Sequence, residues 1–326
     1  MNLKTFILKR SIQVVISFYV ILSLLFFLLR LSPGDPYSKY IDSDMTQQEI
    51  ELIKEQMGLG KHIFYQYLVY IRNLIKLDFG YSFHYGTPVW DVIKDKILNT
   101  ILLFTTSVIV SALVGIFLGR IAAWRRNTSL DAGLTIASLV THTIFLPWLG
   151  LLLIWIFGYK LELFPLSGIY TPEIWLDPEC GFLRKAVDVM HHMALPFLSL
   201  FLLHFGGYLL LMRNSMLGTL KEDYILTARA KGLREKDIIN RHALPNAALP
   251  VVTSVGLSLA FSINGGALTE TVFSWPGIGR ELVMAVSHND YPLAQAAFLL
   301  IAIVVLVANV LVDILYAFLD PRIRYE

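Results

Sequence analysis

Adjacent His191 and His192 are the densest pair of potential metal ligands in the sequence. Ligands for one ion on a helix sit three or four residues apart, so neighbours cannot both face it, and the pair reads as an interfacial element rather than a metal site. A phosphate-cradling loop needs Gly, four residues, Gly-Lys and then Ser or Thr, and none is present. Gly58, Gly60 and Lys61 echo it, but His62 follows, and Gly58 fits a helix stop instead. Neither a His-Glu-x-x-His zinc helix nor a Gly-x-Ser-x-Gly elbow occurs. Cys180 is the single cysteine, which can form neither an internal disulfide nor a thiolate site alone. No catalytic group, metal site or cofactor site is expected in this chain.

The elements that carry these residues are lipid-embedded by composition. Of 326 residues 56% are hydrophobic and 16% charged, against about 25% charged in an average soluble protein. Lys and Arg number 27 against 25 Asp and Glu, a balance that gives no electrostatic reason to expect a nucleic acid partner. Six stretches reach the roughly 20 apolar residues needed to cross a bilayer, at about 10–30, 97–123, 133–158, 195–213, 247–269 and 295–318. The expected fold is therefore an all-α integral membrane protein with six transmembrane helices. The first helix follows Lys4, Lys9 and Arg10, and because its apolar run is long and no small-residue cleavage site follows, it reads as a retained anchor.

With the N-terminus inside, 15 Lys and Arg fall on inner segments and 4 on the two short outer ones; residues 31–96 are too long for the positive-inside rule. Both termini are then cytoplasmic, and 31–96 lies outside. Thr46 and Glu49 have capping-box spacing there, and Phe64, Tyr67, Leu68, Ile71, Leu74 and Ile75 form a helical stripe that packs against neighbouring protein. The chain divides into 1–30, the structured outer segment 31–96, and a five-helix core over 97–326 that includes an inner loop at 213–248. Ionisable residues at membrane depth are His142, His204 and Asp313, with Arg120 near a helix end, each a functional candidate because burial in lipid is costly. Scattered over three helices they form no proton relay, so interhelical hydrogen bonding is expected of the two histidines. His142, Thr143, Trp148, His204, Asn264 and Thr269 make a polar and aromatic set that could line a hydrated path.

The inner loop has the marks of structure. Glu222 and Asp223 open a short helical run and Arg229 and Lys231 close it, matching the helix dipole. Gly232 sits where a left-handed cap residue belongs, with Leu233 beside it. A second helical stretch from Arg234 leads to Leu244 and Pro245, with Pro250 as punctuation near the membrane. Small Ala228 and Ala230 offer a close-fitting surface to a cytosolic partner. The residues alone leave open whether the loop receives such a partner or merely links two helices.

The stretch Asp223-Tyr224-Ile225-Leu226-Thr227-Ala228-Arg229-Ala230-Lys231-Gly232-Leu233, followed by Arg241-His242-Ala243-Leu244-Pro245-Asn246, resembles the cytoplasmic loop of ATP-binding-cassette importer permeases. Ala228, Gly232, Leu244 and Pro245 match that pattern, while Leu226, Thr227 and His242 replace the usual Glu, Ala and Ile. Those departures are similar to the dipeptide and oligopeptide branch, the DppB/OppB type. Leu31 to Pro36, Asp78-Phe79-Gly80-Tyr81-Ser82, Thr269 to Gly279, Asp290-Tyr291-Pro292 and Asp320 to Arg324 follow in that branch's order.

The resemblance implies a non-catalytic subunit of a prokaryotic inner membrane importer. It would form half of a translocation path beside a second permease, with two cytosolic ATPases that bind ATP and magnesium and a solute-binding protein outside. Asp223, Tyr224, Ala228, Arg229, Ala230, Lys231, Gly232, Leu244 and Pro245 would couple to the ATPases. Peptides are the expected solute, with nickel chelates, glutathione and oligosaccharides as alternatives. A self-contained ion-coupled carrier is the competing class, but it calls for internal repeats and midplane charges that are not seen here. An intramembrane enzyme would need a catalytic pair.

Overall fold

The computed structural model describes residues 3–30, 62–261 and 266–319. Among them the regular elements are helices, with one isolated β-bridge between Tyr81 and Pro88. The helices are α1 (Leu3–Arg30), α2 (Ile63–Ile75), α3 (Val89–Trp124), α4 (Ser129–Thr143), α5 (Leu146–Leu153, widening into a π-helical turn over Ile154–Lys160), α6 (Pro172–Leu176) and α7 (Phe182–Thr219). They continue as α8 (Asp223–Ala230), α9 (Glu235–Asp237, followed by a π-helical segment over Ile238–Ala243), α10 (Leu244–Phe261), α11 (Ala267–Val272), α12 (Ile278–Ser287) and α13 (Tyr291–Leu319).

Among the described residues α3 and α7 are each long and apolar enough to cross a membrane. Both exceed the stretches expected at 97–123 and 195–213: α3 has 36 residues and α7 has 38, so each is over 50 Å long at about 1.5 Å per residue. Hydropathy marks only the apolar middle of such a helix. Shorter apolar stretches run over Ile12–Leu28 and Tyr291–Val307.

The expected single helix over 133–158 is instead two, α4 and α5, bent by 101°. Pro147 is the cause: it lacks the N–H and its ring would clash with the Thr143 carbonyl if the helix continued. Ile144 and Phe145 take extended conformations, and Pro147 falls in the first turn of α5, where it is tolerated. The stretch expected at 247–269 is likewise two pieces, α10 and α11, on either side of 262–265, which lie outside the described residues. Pro250 is inside α10 rather than at its start.

The centre of the molecule is α3 against α7. Gly115 and Gly119, one turn apart on α3, let the backbones touch: a Cβ on Gly115 would come within 2.7 Å of Tyr208 Cβ, and one on Gly119 within 2.7 Å of the Leu209 carbonyl oxygen. Small residues at this spacing are how helices associate closely in lipid, where no hydrophobic drive exists between them. Tyr67 and Tyr70 of α2 pack on α1, with ring centroids 5.3 and 5.5 Å from Phe26, and Ser23 and Tyr67 are hydrogen-bonded at 2.6 Å. The helical stripe predicted there thus rests on protein along one edge, while Phe64, Leu68 and Ile75 stay exposed. The Thr46–Glu49 capping box, the Gly58 stop, Leu31 to Pro36, Asn264 and Asp320 to Arg324 lie outside the described residues.

Candidate functional site

The inner loop folds as a hairpin of helices at the end of α7. Glu222, in an extended conformation, precedes α8, with Asp223 in its first turn and Arg229 in its last. Gly232 has φ +76°. Its N–H donates to the Arg229 carbonyl at 2.9 Å, and the Leu233 N–H donates to the Ala228 carbonyl at 3.4 Å. This pair of bonds is the Schellman cap that the Lys231-Gly232-Leu233 order predicts. The return limb is helical as expected, but Ile238–Ala243 is wound as a π-helix that runs directly into α10. Tyr224 on α8 and Asn246 on α10 close the hairpin, the Asn246 Nδ2 donating to the Tyr224 hydroxyl at 2.9 Å.

One side of the hairpin is locked into the protein. Ile225 and Ala228 of α8 and Ile238, Ile239 and Ala243 of the return limb are buried with Val108, Ala112, Met212, Met216, Ala247 and Val251 from α3, α7 and α10. Ala228 is therefore turned inward, at 6% exposure, and does not offer itself to a partner as expected; its small size serves the fit to the core. Leu244 packs half-buried on the same cluster, and Pro245 is exposed. The outer side carries Asp223, Tyr224, Leu226, Thr227, Arg229, Ala230 and Lys231, all exposed. Three large apolar side chains, Tyr224, Leu226 and Leu233, thus stand in the open beside basic Arg229 and Lys231.

Polar contacts tie the return limb to α3 and, nearby, α7 to α4. Arg120 of α3 donates to the Asn240 side-chain oxygen in the π-helical segment at 2.9 Å. Arg213 of α7 grips Asp131 of α4 with both arms, Nε to Oδ1 at 2.5 Å and Nη2 to Oδ2 at 2.8 Å.

A second cluster joins residues far apart in sequence, and it contains the segments from Asp78 to Ser82, Thr269 to Gly279 and Asp290 to Pro292. Buried Glu270 accepts from Thr100 Oγ1 at 2.5 Å and from the Arg280 N–H at 2.9 Å. Gly277 packs directly on its carboxylate, with no room for a Cβ. Trp275 is fully buried and donates from its indole to the Asn99 carbonyl at 3.1 Å, while Asn99 donates to the Pro276 carbonyl at 3.0 Å. Ser82 Oγ donates to Asp290 at 2.5 Å, and Lys96 pairs with Glu281. These residues clamp α11 and α12 onto α3 and carry no exposed reactive group.

The polar set expected along a path is dispersed. His142 is exposed, its Nδ1 3.3 Å from the Leu203 carbonyl, which places it next to half-buried His204. Trp148 is exposed beyond the bend. Thr269 is buried at 2% exposure, so its side chain faces protein, not an open path. His191 and His192 point to different partners, Nε2 of the first toward the Leu163 carbonyl at 2.8 Å and Nδ1 of the second 2.9 Å from the Asp188 carbonyl. Among the described residues no group of three or more His, Cys, Asp or Glu could hold a metal ion.

Sequence reasoning missed Asp131, Asp188 and Arg213, because predicted spans end where polar residues begin. Asp188 is buried in α7 and accepts from the Thr171 N–H and hydroxyl, both at 2.8 Å, pinning the segment before α7. Thr128, three residues before Asp131, was the available signal: it caps α4, accepting from the Asp131 N–H.

A capped helix packed on the core of a bundle of apolar helices, two of them long and apolar enough to cross a bilayer, marks an integral membrane protein. The chain belongs to the family of binding-protein-dependent transport system inner membrane components, whose pattern matches residues 115–325, and the family's N-terminal region matches residues 3–104. It is 35% identical over 321 residues to the oligopeptide transport system permease protein AppB of Bacillus subtilis, covering 98% of this chain and 99% of that one. It is 35% identical to the dipeptide transport system permease protein DppB of Escherichia coli K12 over 335 residues, covering 98% and 99%. To the di/tripeptide permease DppB of Pseudomonas aeruginosa it is 34% identical over 337 residues, covering 99% of both.

Proposed function

We propose that this chain is the peptide-carrying permease of an ATP-driven importer. It crosses the membrane six times with both termini inside, and forms half of the path beside a second permease. Two cytosolic ATPases, which bind the ATP and magnesium, dock on α8, and a solute-binding protein delivers from outside. The α4–α5 pair counts as one broken span, and the 31–96 segment lies outside. The observation that carries the reading is the split character of α8. Its inner side is buried with α3, α7 and α10, its outer side leaves Tyr224, Leu226 and Arg229 exposed, and Lys231 and Leu233 stand exposed just past its end. A helix held this way can transmit a push to the bundle, because packed elements shift as units. Names of relatives at 34–35% identity support peptides as the solute.

The test is uptake into vesicles holding the complete complex and its cognate binding protein, comparing short peptides with oligosaccharides and nickel chelates. Peptides should stimulate ATP hydrolysis and accumulate inside. Stimulation by a sugar or chelate, with none by any peptide, would overturn the solute assignment and leave the importer standing.

A further inference from the structure

We infer that the Asp131–Arg213 ion pair is the joint that makes the bent α4–α5 span move in step with the inner hairpin, a positioning role that rests on the importer reading above. Helices α4 and α7 touch at three levels that advance together in opposite chain directions. Asp131 meets Arg213, Ser138 meets Gly206 backbone to backbone, and His142 meets the Leu203 carbonyl. Helix α4 therefore lies antiparallel along α7, and the pair is the level nearest the hairpin, separated from Asp223 by less than three helical turns.

The other two levels are a close approach of backbones and one hydrogen bond, and the pair adds a directional, charge-assisted link to them. The planar guanidinium fork meets the carboxylate with two bonds, and Asp131 also accepts from the Asn127 N–H at 3.0 Å, which ties the α3–α4 turn into the same group. Asp131 is buried and Arg213 half-buried, so removing either partner would leave the other a poorly solvated charge, and the fork holds the two helices in one register. Beyond the bend, Gly150 of α5 lies against Val272 and Phe273, next to the Glu270 cluster. A displacement of α8 is thus carried through α7 and the pair to α4, α5 and the segment that Glu270 holds. Contiguity alone is not coupling, so the decisive quantity is the work transmitted.

The experiment uses the complete complex in vesicles with wild-type, Asp131→Asn or Arg213→Lys permease. Assembly, basal ATP hydrolysis and peptide taken up per ATP hydrolysed are read separately. Asp131→Asn should assemble and keep basal hydrolysis, while uptake per ATP falls about tenfold, within the usual range of coupling between sites. Arg213→Lys, which keeps the charge and loses the fork, should fall between the two. A wild-type ratio in either variant overturns the inference. So does a loss of uptake and basal hydrolysis together, which marks a merely structural role. If Asp131→Asn does not assemble, the ratio in Arg213→Lys decides by the same rule. Wild-type complex that hydrolyses ATP yet takes up no solute would count against the importer reading, a failure distinct from that of the joint.

Discussion

Replacing Gly232 separates the stop signal of α8 from everything around it. The residue holds φ +76°, and a Cβ built on it meets nothing within 4 Å. A side chain there has space, so its penalty is conformational alone. Forcing an L-residue into the left-handed region costs about 1–2 kcal/mol, and more for a β-branched one. That is small beside a typical folding stability of about 5–15 kcal/mol, so a Gly232→Val complex should assemble normally. It is large for the local equilibrium between the capped and frayed ends of an eight-residue helix, which it shifts roughly five- to thirtyfold. Lys231 and Leu233 would lose their fixed positions, and uptake in reconstituted vesicles should drop by a comparable factor while the amount of purified complex is unchanged. Gly232→Asn, which tolerates the left-handed region, should stay close to wild type. Equal uptake by the Val and wild-type complexes would refute the reasoning, and so would equal loss in the Asn and Val variants.

Met216→Ala removes a fully buried side chain from beneath α8 and should lower stability by about 2–5 kcal/mol, read as an earlier thermal unfolding transition in detergent. Gly119→Leu should prevent the α3–α7 contact and abolish monodisperse protein on size exclusion, whereas Gly133→Ala, with open space at its Cβ, should leave it intact. Single cysteines at Ser43 and Lys236 in a Cys180→Ser background should react with an impermeant thiol reagent from opposite sides of the membrane; labelling from one side would overturn the orientation.

The cap at Gly232 was legible because it is local: a charge pattern, a glycine and a leucine within twelve residues, Glu222 to Leu233, specify it. The helical stripe on α2 was legible for the same reason. The break at Pro147 was also local, yet it hid inside an apolar run whose hydropathy continues through the bend. The inward turn of Ala228 depends on Met216 and Ile239, which no spacing rule connects to it. Asp131 and Arg213 are 82 residues apart, and each alone reads as an ordinary charge at the edge of a span. Glu270 and Asp290 stood out as members of family segments, but their partners Thr100 and Ser82 could be named only once the helices were in place.

The Glu270 cluster has a consequence for the order in which the protein is made. Its partners are separated by 170 residues for Thr100 and Glu270, 177 for Asn99 and Pro276, and 208 for Ser82 and Asp290. At about 5–20 residues per second, roughly 10–40 s pass between synthesis of the first member of each pair and the second. Throughout that interval α3 has been synthesised while the groups it will bind have not. The bonds that clamp α11 and α12 onto α3 are thus a late seal, made when the C-terminal third arrives. A chain cut short before Glu270 presents Thr100 and Lys96 without their carboxylate partners, a polar defect on an apolar helix.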